Sequence, residues 1–158
     1  MSLQKSKTMS LEARITEDMK TAMREKDKLA LETIRAIKSA ILLAKTEAGA
    51  KETMSADDEI KLLTKLKKQR IDSATIFRQQ NRLDLAEPEE AQLAIIERYL
   101  PTQLSDVEIE AAVKSIIAET GAAGIKDMGK VMGLANQRMA GQADGKTISN
   151  FVKQLLGA

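Results

Sequence analysis

The 158-residue chain contains no cysteine, no histidine and no tryptophan, one tyrosine and two prolines. Without cysteine there is no thiolate nucleophile and no disulfide. Without histidine there is no imidazole base, no ordinary Ser-His-Asp triad and no standard zinc ligand set. The remaining side chains form no recognisable catalytic constellation, so the expectation is a protein that binds rather than transforms, with no metal site and no cofactor. No apolar run approaches the roughly 20 residues that cross a bilayer, and the N-terminus lacks the apolar core of a signal peptide. No membrane association is expected, and cytoplasmic residence is the default. Residues 1–9 read as a tag or a disordered extension, with Met9 as a possible start.

What is abundant is helix-forming. Hydrophobic residues make up 43% of the chain and charged ones 30%, while aromatics are only 2%, a bias against sheet. Leu11, Ile15, Met19 and Met23 recur at helical spacing behind Ser10, an N-cap residue type. Asp27 suits the start of a second helix with the stripe Ala30, Ile34, Ile37, Ile41 and Ala44, ending near Ala48-Gly49. Ser55 with Asp58 resembles a capping box and opens a long helix carrying Ile60, Leu63, Leu66, Ala74 and Phe77, with a break at Asn81 to Asp84. A fourth helix is expected over Pro88–Leu100, with Leu93, Ile96 and Leu100 inward and Pro88 in its first turn. Pro101 to Leu104 reads as a linker, and Ser105 with Glu108 as a second capping box. Three short helices follow: Asp106–Glu119, Met128–Met139 and Gly145–Leu156. The expected fold is all-α, with an N-terminal domain of about four helices over 10–100 and a three-helix tail over 101–158.

Few motifs carry chemistry. Gly141 to Thr147 imitates a phosphate-binding loop, but only three residues separate its glycines and no strand precedes it, so a turn into the last helix is the better reading. The acids Asp57-Asp58-Glu59 and Glu87-Glu89-Glu90 are expected in first helical turns, where the helix dipole favours them. Between Lys61 and Arg82 seven basic residues face one acid, Asp72. Of these, Lys61, Lys65 and Lys68 share a polar face with Asp72, which reads as a solvated surface. Arg70 instead projects into the apolar arc between Leu63 and Phe77. A buried guanidinium needs a partner, so an ion pair with an acid of another helix is expected.

The helix Met128–Met139 has a sharper pattern. Met128, Val131, Met132, Ala135 and Met139 form one apolar stripe, while Gly129, Lys130, Gly133 and Gln137 lie opposite, with Lys126 just ahead. Glycines on an outward face destabilise a helix by about 1 kcal/mol each relative to alanine, so a close approach is expected to require them. Either another helix packs there or a nucleic-acid backbone does.

Five stretches, Arg24-Glu25-Lys26-Asp27-Lys28, Lys68-Gln69-Arg70-Ile71-Asp72-Ser73, Ile96-Glu97-Arg98-Tyr99-Leu100-Pro101, Lys126-Asp127-Met128-Gly129-Lys130-Val131-Met132 and Ala143-Asp144-Gly145-Lys146, together resemble the YqeY family from about Leu11 onward. That family is similar to the C-terminal region of the GatB subunit of the glutamine-dependent aminoacyl-tRNA amidotransferase, without its catalytic part. The resemblance implies a non-catalytic tRNA-associated protein in which Lys126, Lys130, Arg138 and Lys146 contact phosphates and Gly129 and Gly133 let the RNA backbone approach. Two other readings stay open: an adaptor for a translation or amidotransferase component, and an auxiliary part in carbon-nitrogen ligation with glutamine as amide donor. Phe151 lies on the stripe of Ile148, Val152 and Leu155 and is expected in the core, so base stacking is not.

Overall fold

The computed structural model describes residues 9–47, 49 and 54–157. Among them are seven α-helices, one 3₁₀ turn and no strand. The chain divides into two compact units, one ending at Leu100 and the other starting at Pro101. The first eight residues of the expected extension lie outside the described residues; Met9 is half-buried just ahead of the first helix.

In the first unit, α1 (Leu11–Glu25) begins where the Ser10 hydroxyl accepts the Ala13 N–H at 3.1 Å. Leu11, Ile15 and Ala22 are buried, but Met23 is 57% exposed. Four-residue steps advance 40° beyond a full turn each time, so by Met23 the expected stripe has left the buried arc and Ala22 takes its place. Lys26, at φ 56°, closes α1: its N–H bonds to the Met23 carbonyl and that of Asp27 to the Ala22 carbonyl, the paired bonds of a Schellman turn. Asp27 Oδ1 then accepts the Ala30 N–H and starts α2 (Lys28–Glu47). The expected end of this helix at Ala48 falls outside the described residues.

The capping box of Ser55 and Asp58 opens α3 (Ala56–Gln79) with both reciprocal bonds made. A second Schellman turn ends it, with Asn81 at φ 59° and the Arg82 N–H on the Phe77 carbonyl at 2.7 Å. The next helix, α4 (Leu83–Glu97), starts five residues earlier than expected. Pro88 therefore lies inside it rather than in its first turn, where it offers no N–H to the Asp84 carbonyl one turn back. Because α4 lies alongside α3, packing supports what that missing hydrogen bond does not.

Ile15, Ile34, Ile37, Ile41, Leu63 and Ile96 form the centre of this unit's core. Its margins are fastened by polar contacts from distant positions. Glu59 accepts the Leu11 N–H at 2.8 Å, so a side chain of α3 satisfies a free donor at the start of α1. Glu12 pairs with Lys45 of α2. At the middle of α1, Asp18 accepts the Tyr99 hydroxyl, and the Arg14 guanidinium lies 5.0 Å above the Tyr99 ring.

The second unit comprises α5 (Asp106–Thr120), a 3₁₀ turn (Ile125–Asp127), α6 (Met128–Arg138) and α7 (Gly145–Gly157). Ser105 and Glu108 complete the second capping box, and Gly121 ends α5 at φ 67°. Ile109, Val113, Ile116, Val131, Ala135, Met139, Ile148 and Val152 form a separate core, with Phe151 packed against it. The segment expected to be a linker is tied down within this unit. Gln103 donates to the Gly141 carbonyl at 2.7 Å, and the Leu104 N–H to the Gln142 carbonyl at 2.8 Å.

Candidate nucleic-acid interface

The apolar stripe of α6 turns Val131, Ala135 and Met139 into the core of its unit, with Met128 and Met132 half-buried against it. The opposite arc carries Gly129, Lys130, Gly133 and Gln137, all exposed, with Lys126 exposed on the turn before it. Lys126 is presented by a short, braced loop. The Asp127 N–H bonds to the Gly124 carbonyl at 2.9 Å, and its carboxylate accepts the Ala123 N–H at 3.0 Å.

The glycines bear on how this face is packed within its own unit. A Cβ placed on Gly129 or Gly133 meets no atom within 4 Å. Among the described residues of this unit no other helix occupies that space, so packing within the unit does not explain them. Neither glycine needs the left-handed backbone region, since positive φ occurs only at Gly49, Gly121 and Gly141 among the described glycines. The result is a flat, solvent-facing helix surface two turns long, with a lysine at its head and another within it.

The other basic residues expected on this surface are placed differently. Arg138 lies about 100° around α6 from Gln137 and is paired at 2.5 Å with Glu119 of α5. The hydrogen bond from Arg138 holds the Glu119 carboxyl below the usual carboxylate range. Arg138 thus joins α6 to α5. Lys146 is exposed in the first turn of α7, on a separate helix.

Arg70 lies in the first unit, with 18% of its side chain exposed. Its Nε donates to Gln92 Oε1 at 2.8 Å, and Glu89 Oε2 stands 3.6 Å away. Both partners come from α4. About two turns further along α3, Arg78 grips Glu90 through two bonds of 2.7 and 2.6 Å. Since α4 begins at Leu83, Glu87, Glu89 and Glu90 lie beyond its first turn. The dipole explanation therefore gives way to pairing across the α3–α4 seam for Glu89 and Glu90. Among the described residues, no group of acids is arranged to hold a metal ion.

Sequence periodicity did not reveal Tyr99. Its neighbours Ile96 and Leu100 carry the helical stripe, whereas Tyr99 lies in the turn after α4, where spacing no longer predicts direction. A lone tyrosine in a chain this poor in aromatics was the available signal.

A family model described as Yqey-like protein matches residues 12–156. Similar curated proteins are fungal, each named Altered inheritance of mitochondria protein 41, mitochondrial. That of Pyrenophora tritici-repentis is 38% identical over 152 residues, 92% of this chain and 80% of its own length. That of Meyerozyma guilliermondii is 42% identical over 86 residues, covering 52% of this chain and 42% of the relative. That of Lachancea thermotolerans is 39% identical over 113 residues, covering 68% and 58%. These names overturn the cytoplasmic expectation. It rested on the absence of an apolar leader, and import into mitochondria relies on amphipathic rather than apolar segments, so that absence does not discriminate.

Proposed function

The chain belongs to the Yqey-like family, and from that premise we propose that it is a non-catalytic, tRNA-associated protein that grips folded RNA with the exposed face of α6. The observation supporting this reading is the open space over Gly129 and Gly133 beside exposed Lys126 and Lys130. A helix surface without Cβ atoms lets a sugar-phosphate backbone approach closely, while lysines supply the charge. Lys146 adds a third cation from α7. Arg138, already paired with Glu119, keeps α6 in place and contributes less charge to the contact.

Such contacts position RNA by its shape and phosphates, not its bases. Phe151 packs on the core, leaving no aromatic platform on the α6 face. An accessory role beside tRNA-dependent amidation fits this reading, with the chemistry supplied by another protein.

A filter-binding titration with bulk tRNA tests it. Three phosphate contacts predict that affinity falls about 20- to 40-fold between roughly 50 and 200 mM salt. Lys126→Glu with Lys130→Glu is expected to abolish binding while the melting curve stays that of a folded protein. Unchanged affinity in that variant, or binding indifferent to salt, overturns the proposal.

A further inference from the structure

The first unit carries a groove of about 470 Å³ between the second half of α2 and the first half of α3. Ala40, Leu43 and Ala44 line one wall, and Leu62, Lys65 and Leu66 the other, with Lys61 on the rim. Each wall is a set of positions three and four residues apart, forming two neighbouring helical ridges. Leu43 is 60% exposed. It lies off the buried stripe of Ile34, Ile37 and Ile41, so the core of the unit does not account for a leucine there.

The lining charges are unevenly committed. Lys45 is engaged by Glu12 and Asp58 by the capping box of α3. Lys61 and Lys65 have no ion pair among the described residues, and Glu47 stands at the end where α2 stops. The α3 wall runs from Asp58 to Gln69, about 17 Å or three helical turns. Lys61 and Lys65, four residues apart, repeat at the pitch of one turn. An apolar floor with cations spaced at helical pitch complements a helix with an apolar stripe and acids on its flank. RNA would gain nothing from Leu43.

We propose that this groove receives an acidic amphipathic helix of a partner protein, its apolar stripe on Leu43, Leu62 and Leu66 and its carboxylates on Lys61 and Lys65. The alanines at positions 40 and 44 let the incoming helix lie close to α2. This surface belongs to the first unit and the RNA-facing helix to the second, so either proposal can fail without the other.

The probe is a fluorescein-labelled synthetic peptide of about four turns, with leucine on one stripe and glutamate beside it, compared with a twin carrying lysine for each glutamate. Fluorescence anisotropy with the full chain is expected to show saturable binding of the acidic peptide, about tenfold tighter than its twin. Leu43→Asp, at an exposed position, is expected to weaken it about tenfold without lowering the melting temperature. Lys61→Glu with Lys65→Glu is expected to reverse the preference between the two peptides. Equal binding of the twins, no saturable binding, or an unaffected Leu43→Asp variant overturns the proposal. So does a Lys61→Glu, Lys65→Glu variant that loses tRNA binding while keeping its peptide preference, which would make the lysines an RNA surface.

Discussion

The Tyr99 hydroxyl donates a hydrogen bond to the Asp18 carboxylate across 81 positions of sequence, joining the turn after α4 to the middle of α1. Burial, then the bond to Asp18, pushes the Tyr99 ionisation well above its usual value near 10. The protonated native hydroxyl thus contributes stability below pH 10, and this is lost as pH rises further and the unfolded tyrosine ionises. Tyr99→Phe is expected to cost about 1 kcal/mol at neutral pH, because the exposed Asp18 regains water. Urea melts at pH 7 and pH 11 check this: the gap between wild type and variant should shrink at the higher pH.

Arg70→Met is expected to destabilise the first unit by about 1–2 kcal/mol, since it leaves Gln92 without its donor and Glu89 without its neighbouring charge. For a unit of this size that lowers the melting temperature by roughly 5–15 °C. Arg70→Lys should leave most of the loss in place, because an ammonium does not reproduce the planar Nε–H donor. Calorimetry of the three proteins decides it.

Ser105→Ala should cost about 1 kcal/mol by removing the hydroxyl that caps α5. The backbone N–H of Ser105, then its side chain, holds the Glu108 carboxyl below its ordinary 4.5. Glu108 therefore stabilises the fold above the unfolded carboxylate range and loses that contribution as pH falls through its lowered native value. Thermal melts of wild type and Glu108→Gln should differ at pH 7 and draw together as pH falls below the unfolded carboxylate range and through the lowered native value.

Gly129→Ala and Gly133→Ala should each stabilise the second unit by about 0.5–1 kcal/mol, because the new methyl meets only open space and the helix gains propensity. On the proposed function, the same variants weaken tRNA binding. Higher melting temperature with unchanged RNA affinity would separate the glycines from the interface.

Helix existence was legible in the chain because stripes and caps point the same way: Ser10, Asp27, Ser55 and Ser105 all stand where helices begin. The start of α4 was not. Pro88 suits a first turn, and local rules place it there, but packing along α3 extends the helix five residues back through it. In the candidate site, periodicity gave the two faces of α6, while the openness above its glycines depends on which other helices reach that side. The commitment of Arg138 to Glu119 had the same obscurity, since a pairing across helices leaves no spacing to read.

The fastening of α1 has a consequence for synthesis. Its contacts to Lys45, Glu59 and Tyr99 come from residues the ribosome adds later. At about 5–20 residues per second, some 4–15 seconds pass between completion of α1 and translation of Tyr99. Until Tyr99 follows, Asp18 lacks the hydroxyl it accepts from, so α1 is made well before its fastening is complete.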